Sequence, residues 1–308
     1  MKGGWETGRP FLLERSMKYN EKNPPLVCMQ TQSTCYKGTG KMKIKGILWH
    51  DTGANNPNLK RYIQPSDNAL DQAEWLEKLG KNTYKNDWNH VYRKCGMNCW
   101  IGKLADGSVT TVQTMPWDYR PWGCGSGKKG SCNNGWIQFE ICEEGKNDPE
   151  YLAKAYEEAC EITAYLCRLF NIDPLGTADC NGVTVPTILC HYDSCKLGLG
   201  SNHSDIYDWF PKYEKSMETA RADVAWLLAE EQDTEPPEKE QPMEQDEQEK
   251  QPTVPEEPVG YFRVRKTWKD KASQLGAFRV LQYARQCADK NPGYAVFNES
   301  GEQIYPLT

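Results

Sequence analysis

The sequence predicts an α/β fold: a large layered domain, a tether, and a small βαββ unit. Three observations predict it. Apolar strand-like runs alternate with helical stripes across the first 229 residues. Residues 230–258 carry twelve Asp and Glu against two Lys, with six Pro and almost nothing apolar. A second, shorter alternation of strand, helix, strand and strand follows in residues 259–308. At 308 residues the chain is long enough for two domains with separate cores.

Taken in order, residues 1–26 read as an N-terminal extension, with 1–16 peripheral and Met17 an alternative start. Residues 44–50 (IKGILWH) form a buried strand that ends in polar side chains. Leu70, Ala73, Leu76 and Leu79 recur every third residue before Gly80, which predicts a short helix with a glycine stop. Asp106-Gly107 between the apolar runs 100–104 and 109–113 signals a hairpin. Residues 136–142 (WIQFEIC) alternate as a strand. Asp148 and Pro149 are the N-cap and first residue of the longest helix, whose apolar stripe runs from Leu152 to Phe170. Residues 183–190 read as a strand entering His191, and a last helix is expected over 217–228. In the tail, strands are expected at 261–268, 293–297 and 303–305, with a helix at 278–288.

Composition excludes several function classes. Thirty-seven Lys and Arg stand against 43 Asp and Glu, a net charge of −6 that gives no general drive toward nucleic acid. That charge is unevenly spread: the tether carries −10 and the tail +4, which leaves the first 229 residues neutral. No apolar run approaches the ~18–20 residues that span a bilayer. The first ten residues (MKGGWETGRP) hold no apolar h-region, so neither a membrane span nor Sec export is expected, and the chain is expected in the cytoplasm. Hydrophobic residues make up 38%, which accords with a tether that cannot bury enough surface to offset its chain entropy. Thirteen Cys is an odd number, and reduced thiols are expected. Cys95, Cys99, Cys124 and Cys132 lie near polar, Gly-rich loops and admit a metal site, although their spacing is not that of a zinc ribbon. Eleven Trp and sixteen Tyr suit a flat carbohydrate- or peptide-binding surface as well as an aromatic core.

All four histidines, His50, His90, His191 and His203, fall in the large domain. His50 and His191 each stand where an apolar strand gives way to a polar loop, the place where a sheet presents ligands to a cleft. Two such imidazoles with one more ligand from residues 202–205 would hold zinc and leave a fourth position open. Each histidine taken by itself is better explained by a local hydrogen bond than by a metal.

Four blocks stand in a telling order. They are Trp49-His50-Asp51-Thr52-Gly53; Asn89-His90, followed by LADGSV at 104–109 and PWDYRPW at 116–122; NNGWIQFE at 133–140; and His191 through Asp205 to Trp209-Phe210. Together they span most of residues 27–228 and resemble the zinc-dependent N-acetylmuramoyl-L-alanine amidases. These belong to the type 2 amidase/peptidoglycan-recognition-protein superfamily, and endolysins of clostridial-type phages and prophages are the nearest in pattern.

The resemblance implies a central mixed β-sheet flanked by helices. It makes His50 and His191 zinc ligands, with Asp205 as the third and His203 as the alternative. Glu140 matches a carboxylate that acts as general base. His203, two residues before Asp205, stands where members often place a Lys that stabilises the developing oxyanion, and the resemblance implies the same role for a hydrogen-bond-donating His203. Trp49, Asn89, His90 and Trp122 are expected along the substrate groove. Asn89 stands where some members have Tyr, and Gly123-Cys124-Gly125 follows Trp122 where many have His-Ala-Gly.

In the tail, Val264-Arg265-Lys266-Thr267-Trp268, residues 274–278 (QLGAF) and residues 293–297 (GYAVF) resemble SPOR-like cell-wall-binding modules. The implied organisation is an extension (1–26), a zinc amidase domain (27–229), an acidic linker (230–258) and a wall-binding domain (259–308). The implied substrate is peptidoglycan, cut at the amide between N-acetylmuramic acid and L-alanine. Anionic wall polymers are the expected ligands of the tail, and a holin or lysis is expected to release the protein. Two other readings remain open: a non-catalytic peptidoglycan binder of the same fold, and a wall endopeptidase using Cys124 or Cys132 with His191.

Overall fold

The computed structural model describes residues 17–232 and, without 279–283, 286, 289–290 and 299, residues 262–306. Most of the acidic linker and the first sixteen residues therefore lie outside the described residues. The chain divides into two units at 238/239, and each is described by itself.

In the large unit the elements run β1 (Leu26–Val27), α1 (Thr34–Gly38), β2 (Gly46–Asn55), α2 (Gln72–Leu79), β3 (Cys99–Lys103), β4 (Val109–Gln113) and β5 (Trp136–Glu143). They continue with α3 (Pro149–Leu169), β6 (Thr177–Cys180), β7 (Val183–Pro186), β8 (Ile188–Cys190), α4 (His191–Lys196) and α5 (Met217–Gln232). Six strands form one mixed sheet in the order β1-β4-β3-β5-β2-β8. Only β3 and β4 pair antiparallel within it. The expected mixed sheet flanked by helices is the fold observed.

Local chemistry explains the two clearest boundaries. Asp106 Oδ1 accepts the Ser108 N–H at 2.9 Å, and Gly107 takes φ +85°, so the turn between β3 and β4 closes without strain. At α3 the Asp148 carboxylate accepts the Tyr151 N–H at 3.0 Å, and Pro149 fills the first helical position, where no donor is needed.

Strand periodicity sorts the side chains. Ile47, Trp49, Cys99, Ile101, Ile137, Phe139 and Ile141 join the core cluster that contains the buried faces of α3 and α5. Burying each large aliphatic or aromatic side chain stabilises the fold by about 1.5–3 kcal/mol. Leu48, His50, Trp100, Gln138 and Glu140 hold the intervening positions and so belong to the opposite face.

Several expectations need correction. β5 is buried at every position, because both of its faces are covered, rather than alternating between core and solvent. α2 buries Trp75 and Leu79, four residues apart, while Leu70 is fully exposed and Ala73 is exposed. Trp75 sets that face by packing into a second core and donating its indole N–H to Asp71 at 3.0 Å. Residues 183–190 are not one strand. Val183–Pro186 turns back onto Thr177–Cys180, and only Ile188–Cys190 joins the main sheet. Thr187 marks the break: its N–H goes to Gly176 O at 3.1 Å and its hydroxyl to Asp173 O at 2.6 Å.

The extension expected over 1–26 also packs from Met17 onward. Met17 and Tyr19 are buried in the main core, and Glu158 accepts from the Tyr19 hydroxyl, the Lys18 ammonium and the Thr111 N–H. β1 then pairs with β4 at the edge of the sheet.

In the small unit, β9 (Phe262–Arg265), β10 (Gly276–Phe278), β11 (Ala295–Phe297) and β12 (Gln303–Tyr305) form an antiparallel sheet in the order β10-β9-β11-β12. Residues 276–278 are thus a strand, where a helix start was expected at 278. Within the expected helix, residues 284, 285, 287 and 288 are helical and the rest are outside the described residues or at its ends. Val264, Ala284, Ala288 and Val296 make its small core. Among the described residues no helix is long and apolar enough to cross a membrane.

Candidate metal centre

The parallel pairing of β2 with β5 sets His50 directly beside Glu140, and β8 lies on the other side of β2. The chain leaves β8 at Cys190 and places His191 as the first residue of α4. Three donor atoms therefore converge. His50 Nδ1 lies 3.1 Å from Asp205 Oδ2, His191 Nδ1 lies 3.3 Å from the same oxygen, and the two Nδ1 atoms are 3.1 Å apart. All three residues are buried or nearly so, and among the described residues they are the one His/Cys/Asp/Glu group of three with metal-binding spacing.

The donor set fits a tetrahedral cation. Ligand atoms at bond lengths of ~2.0–2.2 Å and tetrahedral angles lie roughly 3.3–3.6 Å apart, slightly wider than the spacings here. Both remaining ring nitrogens are occupied: His50 Nε2 by Gln138 Oε1 at 2.9 Å, and His191 Nε2 by Ser201 Oγ at 3.1 Å. That leaves both Nδ1 atoms facing the carboxylate. Electrostatics agree. Burial alone would raise Asp205, but the imidazoles of His191 and His50 outweigh it and hold the carboxyl well below the ordinary range. Burial keeps His191 below its usual value against the pull of Asp205, which favours the neutral, ligating imidazole.

Glu140 is 8% exposed, and its Oε2 has no hydrogen-bond partner within the protein. Burial first, then the negative charges of Asp205, Asp51 and Glu143, push its carboxyl well above the usual range. Such an unsatisfied buried oxygen beside a metal-type donor cluster is a candidate proton carrier. His203 is stacked on His191, with ring centroids 4.3 Å apart and 13° between planes. Its Nδ1 is 3.5 Å from Asp205 Oδ1, and its side chain is 56% exposed, so it reaches solvent at the edge of the cluster.

The other residues singled out from sequence fall elsewhere. Trp49 is fully buried on the helix-covered face, against Phe139, Tyr156 and Phe210, and is a core residue rather than part of a groove. Asn89 spends its amide locally, accepting from Gln32 N–H and donating to Gln64 O and Ser66 Oγ. His90 belongs to a different cluster, with Nδ1 2.8 Å from Asp87 and Nε2 3.4 Å from Asp67. Trp122 is half-buried and packs over Gly38. Cys95, Cys99, Cys124 and Cys132 form no metal group, and each thiol is pushed up by burial.

Sequence reasoning missed Gln138, Ser201 and the Asp51–Glu143 pair. Gln138 had a signal: it shares the polar face of a strand with Glu140, two residues away. Asp51 Oδ2 and Glu143 Oε1 are both buried without a donor. Burial, then the neighbouring Glu143 carboxyl, push Asp51 up to about 9. A carboxyl raised in the folded state binds its proton more tightly there, so stability falls as pH rises from the unfolded value toward about 9. In chelator-treated protein, Asp51→Asn should therefore gain on wild type between pH 5 and pH 9, by more than about 1 kcal/mol. Urea midpoints at both pH values measure this; parallel profiles would refute it.

A family model described as N-acetylmuramoyl-L-alanine amidase matches residues 40–209. Among solved structures, the chain is similar to the Staphylococcus aureus hydrolase AmiA in complex with its ligand, at 18% identity over 68% of this chain and 86% of that one, with a TM-score of 0.43. It is also similar to PlyL, at 15% identity over 64% and 93% with a TM-score of 0.41. The PlyG catalytic domain is similar at 16% identity over 66% and 94%, with a TM-score of 0.39. No curated protein matches the chain.

Proposed function

The chain belongs to the N-acetylmuramoyl-L-alanine amidase family, and from that premise we propose that it is a zinc-dependent peptidoglycan hydrolase cutting the amide between N-acetylmuramic acid and L-alanine. The observation that carries this reading is the convergence of His50, His191 and Asp205 on one point. These three residues would hold the metal. Bound there, zinc supplies a Lewis acid for the scissile carbonyl and for a water.

This chain's own residues do the rest. Glu140, unpaired and adjacent to His50 across the strand pair, takes the proton of the attacking water and passes it to the leaving amine. His203, at the exposed edge of the cluster, donates to the carbonyl oxygen as negative charge develops. The test is the kind of bond broken. Digestion of purified peptidoglycan should raise free amino groups without raising reducing sugar ends; new reducing ends would overturn the assignment.

Two observations count against the other readings. A pure recogniser would be expected to have lost a ligand, and here all three donors remain in place. A cysteine peptidase needs a thiolate, whereas Cys124 and Cys132 are fully buried with thiols pushed up by burial.

The proposed organisation keeps the amidase domain at 27–229, the linker at 230–258 and the wall-binding domain at 259–308. We assign the protein the role of a lysin of the clostridial phage or prophage type, held in the cytoplasm until a holin or lysis releases it. Basic residues of the tail would attach it to anionic wall polymers, and the linker would raise the local concentration of the amidase at its substrate. Deleting 230–308 should leave cleavage of soluble muropeptides within about twofold while slowing lysis of whole cells by about tenfold or more. Turbidity clearing measures this, and equal clearing by the truncated protein would contradict the targeting role.

A further inference from the structure

The segment Gly123-Cys124-Gly125 is where the sequence departs from the family pattern, and the structure places it behind both histidine ligands. Two hydrogen-bond chains run from the imidazoles to the backbone of Cys124. On one side the Cys124 N–H donates to Asn133 Oδ1 at 3.1 Å, which fixes that oxygen as an acceptor. Gln138 Nε2 donates to the same oxygen at 2.9 Å, so Gln138 Oε1 is turned toward His50 Nε2, 2.9 Å away. On the other side the Ser201 hydroxyl donates to Cys124 O at 3.3 Å, which leaves its oxygen to accept from His191 Nε2 at 3.1 Å. The Ser201 N–H also donates to Cys124 O, at 2.8 Å. Each chain places the proton on Nε2 and the lone pair on Nδ1, the atom that faces Asp205.

The flanking glycines make room for these same partners. A Cβ on Gly123 would lie 2.1 Å from Gln138 Oε1, and one on Gly125 would lie 2.8 Å from Ser201 Oγ. Gly125 also takes φ +62°, which disfavours any side chain. Gln138 is completely buried, so an unmet polar atom there would be costly.

We infer that Gly123-Cys124-Gly125 is a template that sets the tautomer and orientation of both metal-ligating imidazoles through Gln138 and Ser201, which are positioning residues. The inference rests on the reading of His50, His191 and Asp205 as a metal site. It explains why glycine occupies both flanks of Cys124. It assigns that residue a backbone role, through its N–H and C=O, in place of thiol chemistry.

The test is zinc affinity of the full chain, by competition with a chromophoric chelator. Gln138→Leu leaves the His50 Nε2–H without an acceptor and should weaken zinc binding about 10–100-fold. Ser201→Ala, a small deletion at a half-buried position, should weaken it to a similar extent. Gln138→Glu supplies an oxygen that accepts the same N–H and should bind zinc more tightly than Gln138→Leu. A merely structural role predicts the reverse order, because Leu suits an apolar interior better than a carboxylate does. Wild-type affinity in both Gln138→Leu and Ser201→Ala, or weaker binding by Glu than by Leu, would overturn the inference while the metal site stands. A wild-type chain that binds no zinc would overturn both.

Discussion

Replacing His50 by Ala should remove zinc and amide hydrolysis together. Its Nδ1 lies 3.1 Å from both His191 Nδ1 and Asp205 Oδ2, so its loss leaves two donors where a stable site needs three protein ligands. Zinc retained after dialysis should fall from about one per chain to near zero, and turnover by at least about a thousandfold. His191→Ala should behave the same way. His90→Ala is the informative contrast. That imidazole is held by Asp87 and Asp67, so its removal should leave the zinc content unchanged. Metal analysis beside a turnover assay checks all three. A His50→Ala protein that keeps its zinc would place the metal elsewhere.

The second large effect separates chemistry from metal binding. Glu140→Gln keeps the shape of the side chain and removes its capacity to accept a proton. Turnover should fall about 10²–10⁴-fold, the usual contribution of a positioned general base, while zinc content stays at the wild-type level. Stability should not fall, because the substitution removes a buried carboxyl that faces the charges of Asp205, Asp51 and Glu143. Full turnover by Glu140→Gln would assign the proton transfer to another group.

The strand that carries His50 and the longest helix were legible for physical reasons. The apolar run ending at His50 and the Asp148-Pro149 start of α3 are local signals, written in consecutive residues. The three ligand positions came from the ordered blocks, and the structure brings those positions together. What was not legible depends on long-range contacts. Trp49 and His50 are neighbours in sequence, but pleating sends them to opposite faces, and the sequence alone does not say which face holds the helices. The buried face of α2 differs from the every-third-residue pattern because Trp75, not Leu70, finds a core to enter. The break at Thr187 depends on hydrogen bonds to Asp173 and Gly176, a turn whose partners no local pattern announces. Ser201 lies ten residues from the histidine it meets, and Gln138 lies 88 residues from His50.

The measurement that tests the central claim most directly is mass spectrometry of purified peptidoglycan digested by the full chain, with and without a zinc chelator. The account predicts stem peptides with free L-alanine amino termini and glycan strands bearing intact N-acetylmuramic acid. Both products should vanish with chelator and return when zinc is restored. Cleavage inside the stem peptide that survives chelation, or intact glycan–peptide links under every condition, would contradict it.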